Sequence, residues 1–336
     1  MRIEIACFTA RGETLGNALL RGLEARGDAV ALTRCGRDGE SVGEWARRNF
    51  TDADALLFVG AVGIAVRAVA PFVVSKTSDP AVVVVDETGK FVVPVLSGHI
   101  GGANRLAEFV AGMVGATAVV TTATDLNRVF AADSWAAEKG YAILNPRAIK
   151  TVSSRLLNGE PVRMRCAFPV RGGVPEGVIL ADGDDVDVTV DVRPPPAGAL
   201  GIVPPALTLG VGCRRGATEE DIAACFGVLR DNGGWASEAF GGVYSIDVKR
   251  DEPGLIAFAG KMGLPFVTFD AASLAEVVGD FAGSEFVTKT VGVDNVCERS
   301  AVLGSGGGKL VTGKTVWNGV AMAAALGEVT IDFGRG

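Results

Sequence analysis

Short apolar runs alternate with helix-spaced segments through the first 135 residues, and this rhythm restricts the chain to an α/β architecture. The runs are Arg2–Phe8, Ala29–Thr33, Ala55–Val59, Ala81–Asp86, Phe91–Leu96 and Thr117–Thr121. Between the last two, Leu106, Phe109, Val110, Met113 and Val114 recur at i, i+3, i+4, i+7 and i+8, with Gly115 placed to cap the helix end. Strands that alternate with helices predict a mainly parallel sheet covered on both faces.

The texture then changes. Over residues 136–206, Val162–Cys166, Val178–Leu180 and Val186–Val192 read as short strands among Gly, Asp and Pro. Pro194-Pro195-Pro196 and Pro204-Pro205 punctuate the approach to a third region. From Leu207 the βα rhythm returns, with strands at Leu207–Val211, Tyr244–Val248 and Phe266–Phe269 and a helix from Thr218, whose partner Asp221 completes a capping-box variant. Three domains are therefore expected. They are an N-terminal α/β domain (1–135), a small α+β middle domain with a Pro-rich linker (136–206), and a C-terminal α/β domain (207–336).

Charge and cysteine usage narrow the function classes. Net charge is −7 with no basic run, which argues against nucleic acid as a partner. The six cysteines form no C-x-x-C pair, so neither a structural zinc site nor a redox dithiol is expected. The longest apolar run, Ala55 to Val66, is too short to span a bilayer, and no signal peptide is legible, so the expected setting is the cytoplasm with no membrane partner. The 46 glycines are about twice the usual share of roughly 7%, and they cluster beside strand-like runs, where tight strand-to-helix turns bring backbone amides to ligands.

One such turn carries the only histidine. Ser97-Gly98-His99-Ile100-Gly101-Gly102-Ala103-Asn104 lies between the Phe91–Leu96 strand and the strongest helix. The amides of Gly101, Gly102 and Ala103 are expected to be open donors at a helix N-terminus, able to hold a carboxylate or an oxyanion. His99 is then placed to act as a base, the alternative being a structural hydrogen bond. Thr121-Thr122-Ala123-Thr124-Asp125 follows the next strand. If 91–121 is a βαβ unit, this loop neighbours His99; the alternative is an ST-turn with Asp125 as a helix cap. Asp86 to Lys90 reads as a hairpin turn, roughly 20 Å from His99 at about 3.3 Å per residue. Lys76 and Asp79, before that hairpin, fall on His99's side.

Gly60-Ala61-Val62-Gly63 with Arg67 is a glycine turn first and an anion cradle second. Arg214 and Arg215, in Gly212 to Gly216, can clamp carboxylates, the alternative being a solvated pair. Gly308 to Thr315 satisfies the P-loop pattern literally. The residues that follow offer little room for the strand that would carry a magnesium ligand, so a hairpin with Gly313 in its turn is expected, with a P-loop NTPase binding nucleotide through Lys314 as the less favoured alternative.

These segments together resemble the cobalt-precorrin-5A hydrolase family (CbiG) of anaerobic cobalamin biosynthesis. The similar stretches are GAVGIAVRAVAP, TSDPAVVVVDETGKFVVPVLSGHIGGAN and TTATD, then LGVGCRRGAT, SIDVKRDEPGL, SEFVTKTVGV and the VCE of Val296–Glu298. The resemblance covers most of 54–125 and 207–300. It implies a hydrolase that opens the δ-lactone of cobalt-precorrin-5A, releases acetaldehyde and yields cobalt-precorrin-5B. No cofactor is implied, because the cobalt arrives inside the tetrapyrrole substrate; handover to other pathway enzymes is a further expectation. On this view His99, Asn104, Asp125 and Asp79 are the catalytic candidates. Ser97, Gly98, Gly101, Gly102, Gly63, Arg67, Lys76, Thr121, Thr122, Arg214, Arg215 and Lys289 are the substrate-binding candidates. His99 as an axial cobalt ligand, and a non-catalytic corrinoid-binding protein, stand as the rival readings.

Overall fold

The computed structural model describes residues 1–336 apart from 37–38, 76–77, 100, 124–126, 128 and 335–336. The chain divides into two compact units, Met1–Ala137 and Glu138–Gly336.

The first unit is built on a six-stranded sheet. Its strands are β1 (Arg2–Cys7), β2 (Ala29–Arg34), β3 (Ala55–Val59), β4 (Ala81–Val85), β5 (Phe91–Leu96) and β6 (Thr117–Ala118), in the order β2-β1-β3-β4-β5-β6. Neighbours run parallel except β4 and β5, which form the antiparallel hairpin expected from the short Asp86–Lys90 link. Among the described residues, the α-helices are α1 (Ala10–Ala25), α2 (Val42–Asn49), α3 (Val62–Val69), α4 (Ala103–Val114) and α5 (Ala132–Glu138).

The period-two geometry of a strand explains why β3 and β4 are apolar throughout. Ala55, Leu57, Val59, Ala81, Val83 and Val85 face one core together with Leu19 and Leu23 of α1 and Leu106 and Val110 of α4. Leu56, Phe58, Val82 and Val84 face the other, with Trp45 of α2 and Ala65, Ala68 and Val69 of α3. Trp45 meets Phe58 edge-on at 5.2 Å between ring centroids. Each such large side chain stabilises the unit by about 1.5–3 kcal/mol on burial. Gly115 caps α4 in the left-handed conformation (φ 69°), as its position in the sequence predicts.

At the hairpin turn, the Asp86 carboxylate accepts the amides of Thr88 (2.8 Å), Lys90 (2.8 Å) and Phe91 (2.5 Å) and the Thr88 hydroxyl. Burial works against its ionised form, but these donors outweigh it and hold the carboxyl below its ordinary value.

The second unit contains two five-stranded sheets. The first is formed by β7 (Ala142–Leu144), β8 (Val162–Cys166), β10 (Val178–Leu180), β11 (Val188–Val190) and β12 (Leu200–Val203), ordered β10-β8-β11-β12-β7, with only β7 antiparallel to its neighbour. β9 (Val170–Arg171) pairs with a final strand, β18 (Ile331–Asp332). The second sheet comprises β13 (Leu207–Cys213), β14 (Phe240–Ile246), β15 (Phe266–Phe269), β16 (Lys309–Trp317) and β17 (Val320–Leu326), ordered β15-β14-β13-β17-β16. The residues 138–206 are not detached from this sheet, since Ala142, Leu144 and Val192 pack against the core built by Leu207, Leu209, Phe240 and Val243.

Helices α7 (Glu219–Gly233) and α8 (Pro253–Met262) join that core through Ile222, Phe226, Leu229, Leu255 and Phe258. They follow α6 (Ala148–Leu157) in the chain and precede α9 (Ala271–Glu276), α10 (Glu285–Val291) and α11 (Cys297–Gly304). Thr218 caps α7 by accepting the Asp221 amide, as predicted. Helix α11 lies on the other face of β13, close against Gly210. Its Glu298, 3% exposed, accepts the Lys314 amide (2.9 Å) on Oε1, and the Ala282 amide (2.8 Å) and Asn295 side chain (2.5 Å) on Oε2.

The P-loop-like stretch lies in a hairpin, although not the expected one. β16 runs unbroken through Gly313, with register shifts on both sides of Thr312, and the turn into β17 is Asn318-Gly319, both at positive φ (44° and 77°). An Asn-Gly pair is a strong two-residue hairpin turn, so it takes the turn and leaves Gly313 in an irregular strand. Lys314 follows on that strand rather than opening a helix over a phosphate.

Candidate active site

The loop 97–102 closes on itself. Ser97 (φ 55°) and Gly102 (φ 80°) adopt left-handed conformations, turning the loop carbonyls toward the start of α4. The oxygens of Ser97, Gly98 and His99 accept the amides of Ala103 (3.1 Å), Asn104 (3.1 Å) and Gly102 (2.9 Å) respectively. The expectation of open amides is therefore corrected for Gly102 and Ala103: the loop itself saturates them. The Gly101 amide has no acceptor among the described residues.

Space is tight at Gly98, against a side chain, and requires glycine at 101. A β-carbon at Gly98 would lie 2.8 Å from Asn104 Oδ1. One at Gly101 would overlap Ser97 Cβ and lie 2.9 Å from the Ser97 carbonyl oxygen.

His99 projects from this loop with 21% of its side chain exposed, and its Nδ1 lies 3.4 Å from Oδ2 of Asp133, whose side chain is 2% exposed. Asp133 stands in the first turn of α5, among buried Ala132, Trp135 and Ala136. Sequence reasoning missed it. The available signal was an acid on the apolar stripe of a short helix, where a carboxylate needs a partner.

The neighbouring elements converge on the same loop. Ser97 Oγ donates to the Asp79 carbonyl (2.9 Å), tying the loop to the segment before β4. The Asp79 carboxylate is engaged locally, accepting the amides of Val74 and Ser75 at 3.0 Å each, which shapes that segment. Asn104, 8% exposed, donates from Nδ2 to the Thr122 hydroxyl at 2.8 Å. β5 and β6 are parallel, as a βαβ unit demands, and this bond joins the histidine loop to the Thr121–Thr122 segment. Lys76 and Asp125, both singled out from the sequence, lie outside the described residues.

Gly63 and Arg67 are placed elsewhere. β3 runs parallel to β4 and β4 antiparallel to β5, so the Gly60–Gly63 turn after β3 lies at the sheet edge opposite His99. A β-carbon at Gly63 would sit 3.4 Å from Arg67 Nη1, so the guanidinium folds back toward that far edge.

The remaining cations belong to the second unit. Arg214 lies over the Asn318-Gly319 turn, with Nη2 at 3.4 Å from Asp221 and its amide bonded to the Gly319 carbonyl at 3.0 Å. Arg215 is exposed near Glu252; Glu252 also accepts Lys249 (2.9 Å) and the Gly216 amide (2.7 Å). Burial opposes ionisation of Glu252, but the Lys249 and Gly216 bonds and the two cations hold its carboxyl below the usual range. Lys289 is exposed on α10. Among the described residues, no helix is long and apolar enough to cross a membrane.

The first unit is thus an α/β domain with a strand–glycine-loop–helix junction that presents an imidazole beside a buried carboxylate. Family models described as "Cobalamin synthesis G N-terminal" and "Cobalamin synthesis G C-terminus" match residues 44–125 and 207–325. The chain is 39% identical over 279 residues to the cobalt-precorrin-5A hydrolase of Salmonella typhimurium, spanning 78% of this chain and 79% of that one. It is 27% identical over 300 residues to the cobalt-precorrin-5A hydrolase of Priestia megaterium, spanning 82% and 79%. A shorter match, 29% over 126 residues, covers 37% of this chain and 82% of the protein CobE of a Sinorhizobium species. The chain belongs to the cobalt-precorrin-5A hydrolase family.

Proposed function

We propose that this protein hydrolyses the δ-lactone of cobalt-precorrin-5A in anaerobic cobalamin biosynthesis, with His99 as the general base. The observation that carries the assignment is the position of the chain's one histidine, on the glycine loop of the region matched by the N-terminal family model. Water gives a proton to the imidazole and adds to the lactone carbonyl, and the acyl–oxygen bond breaks to leave a ring carboxylate. The freed oxygen is then a hydroxyl on the former meso carbon; as it loses its proton and becomes a carbonyl, the bond to the macrocycle breaks, its electron pair stays in the ring system and is protonated, and the carbon departs with its methyl group as acetaldehyde, giving cobalt-precorrin-5B. The Gly101 amide is the loop donor best placed for the oxyanion, since Gly102 is committed to the His99 carbonyl. Asn104 and Thr122 hold the loop's shape through their shared hydrogen bond. The cobalt is part of the substrate, and the reaction calls for no organic cofactor.

The decisive experiment is anaerobic incubation with cobalt-precorrin-5A, trapping acetaldehyde as a hydrazone. His99→Ala is expected to lower turnover by roughly 10²–10⁴-fold while substrate binding survives. If the visible spectrum of the bound cobalt ring shifts in the variant and affinity falls, His99 is an axial ligand instead. Undiminished acetaldehyde release with an unaltered spectrum removes it from both roles.

A further inference from the structure

We propose that Asp133 is the positioning residue of the hydrolytic site: its carboxylate takes the Nδ1 proton of His99 in a hydrogen bond and so leaves Nε2 as the nitrogen that accepts a proton from water. The inference deepens the assignment of His99 as base and rests on it. The motivating geometry is the 3.4 Å approach of Nδ1 to Oδ2, with the carboxylate almost wholly buried and the imidazole partly exposed. A neutral imidazole has one N–H donor and one acceptor nitrogen, and a carboxylate accepts only. Facing a carboxylate, Nδ1 must carry the proton. The acceptor lone pair then lies on Nε2, on the far side of the ring from α5.

Among the described residues, the surroundings favour Asp133 over Asp79. Asp79 spends its carboxylate on the amides of Val74 and Ser75, and the Ser97 hydroxyl donates to the Asp79 carbonyl. Arg105, the nearest cation on α4, extends along Gly102, where a β-carbon would lie 3.8 Å from its Nη2. Asp133 is held by its helix: Ala132, Trp135 and Ala136 are buried beside it, and Trp135 packs on Phe130 with centroids 5.8 Å apart. A carboxylate fixed in this way orients the ring before substrate arrives and stabilises the imidazolium once Nε2 is protonated. The proton then passes from Nε2 to the lactone's departing alkoxide oxygen. One water is consumed, one acyl–oxygen bond breaks, and the imidazole returns to its starting form.

The chain's single histidine makes the test direct, because the full-length protein labelled with ¹⁵N-histidine yields one imidazole signal set. The expected spectrum at neutral or mildly alkaline pH shows Nδ1 protonated and Nε2 bare. Asp133→Asn, of the same shape, should shift the ring toward the Nε2–H tautomer. It should also lower kcat by roughly 10²-fold or more, with KM within about twofold of the wild type. A wild-type ring protonated on Nε2 overturns the proposal and needs no variant to fold. A tautomer unchanged in a folded Asp133→Asn protein overturns it too, even where His99→Ala is inactive and the base assignment stands. Full turnover by His99→Ala overturns the base assignment, and the positioning role with it.

Discussion

Gly210 on β13 touches the backbone of α11 at Cys297: a β-carbon there would drive into the Cys297 carbonyl oxygen and lie 2.6 Å from the Ala301 amide nitrogen. Both obstacles are backbone, so neither can rotate away. Gly210→Ala is expected to destabilise the second unit by about 3 kcal/mol, the upper end for overpacking. Thermal unfolding should show the loss as a drop of roughly 6–12 °C for a unit of this size. A variant melting within a degree or two of the parent would mean that α11 can stand off the sheet freely.

Gly101→Ala addresses the histidine loop in the same manner. The new methyl group would overlap Ser97 Cβ and crowd the Ser97 carbonyl oxygen. The loop must then open, displacing His99. The expected outcome is turnover reduced by roughly 10²-fold, because a displacement of about 1 Å has that cost in a positioned site. Ala103 and Leu96, which flank the loop, contribute to the two cores, so the variant's thermal unfolding is measured alongside to separate lost turnover from lost fold.

Asp86 gives a pH dependence of defined sign. Its carboxyl is held below the ordinary value in the folded protein, so the stability it contributes is complete above the unfolded value of about 3.9. That contribution is lost as pH falls through the lower folded value. Asp86→Asn should therefore be less stable than wild type at pH 7, and the gap should narrow as pH is taken toward about 2. Chemical denaturation across that range measures it; a gap that widens on acidification would contradict the turn's hydrogen bonding.

Lys314→Ala should leave hydrolysis intact. Its P-loop-like surroundings are a β-hairpin, and the residue's backbone amide, which the substitution retains, is what bonds to Glu298. Calorimetry of the wild type with ATP and magnesium should register no binding. Micromolar, magnesium-dependent binding abolished by the substitution would revive the nucleotide reading.

Much of the fold was legible because strand burial follows side-chain alternation. The runs at Ala55–Val59, Phe91–Leu96, Val162–Cys166, Val178–Leu180 and Phe266–Phe269 coincide with observed strands, and the caps at Gly115 and Thr218 fall where their residue types require. The hairpin 81–96 placed Asp79 and Ser97 at one edge correctly, since a link of five residues leaves no other topology. What escaped was information that no local pattern contains. The direction of the loop amides depends on Ser97 and Gly102 both being left-handed, and serine at positive φ is not announced by its neighbours. Asp133 lies on a separate helix, and only the packing of α5 brings it to the imidazole. The Asn318-Gly319 turn, by contrast, is legible in its residue types, since Asn-Gly suits two positive φ angles better than the Gly313 position just before it.

The Glu298 carboxylate has a consequence for how the second unit opens. One buried side chain holds the amide of Ala282, the side chain of Asn295 and the amide of Lys314, three points far apart along the chain. Releasing any one of them leaves a buried carboxylate short of donors, which raises the free energy of a partial opening toward that of a complete one. The segment around Ala282 and the strand at Lys314 should then exchange their amide hydrogens as a single cooperative unit, at a common rate, although one precedes α11 and the other follows it.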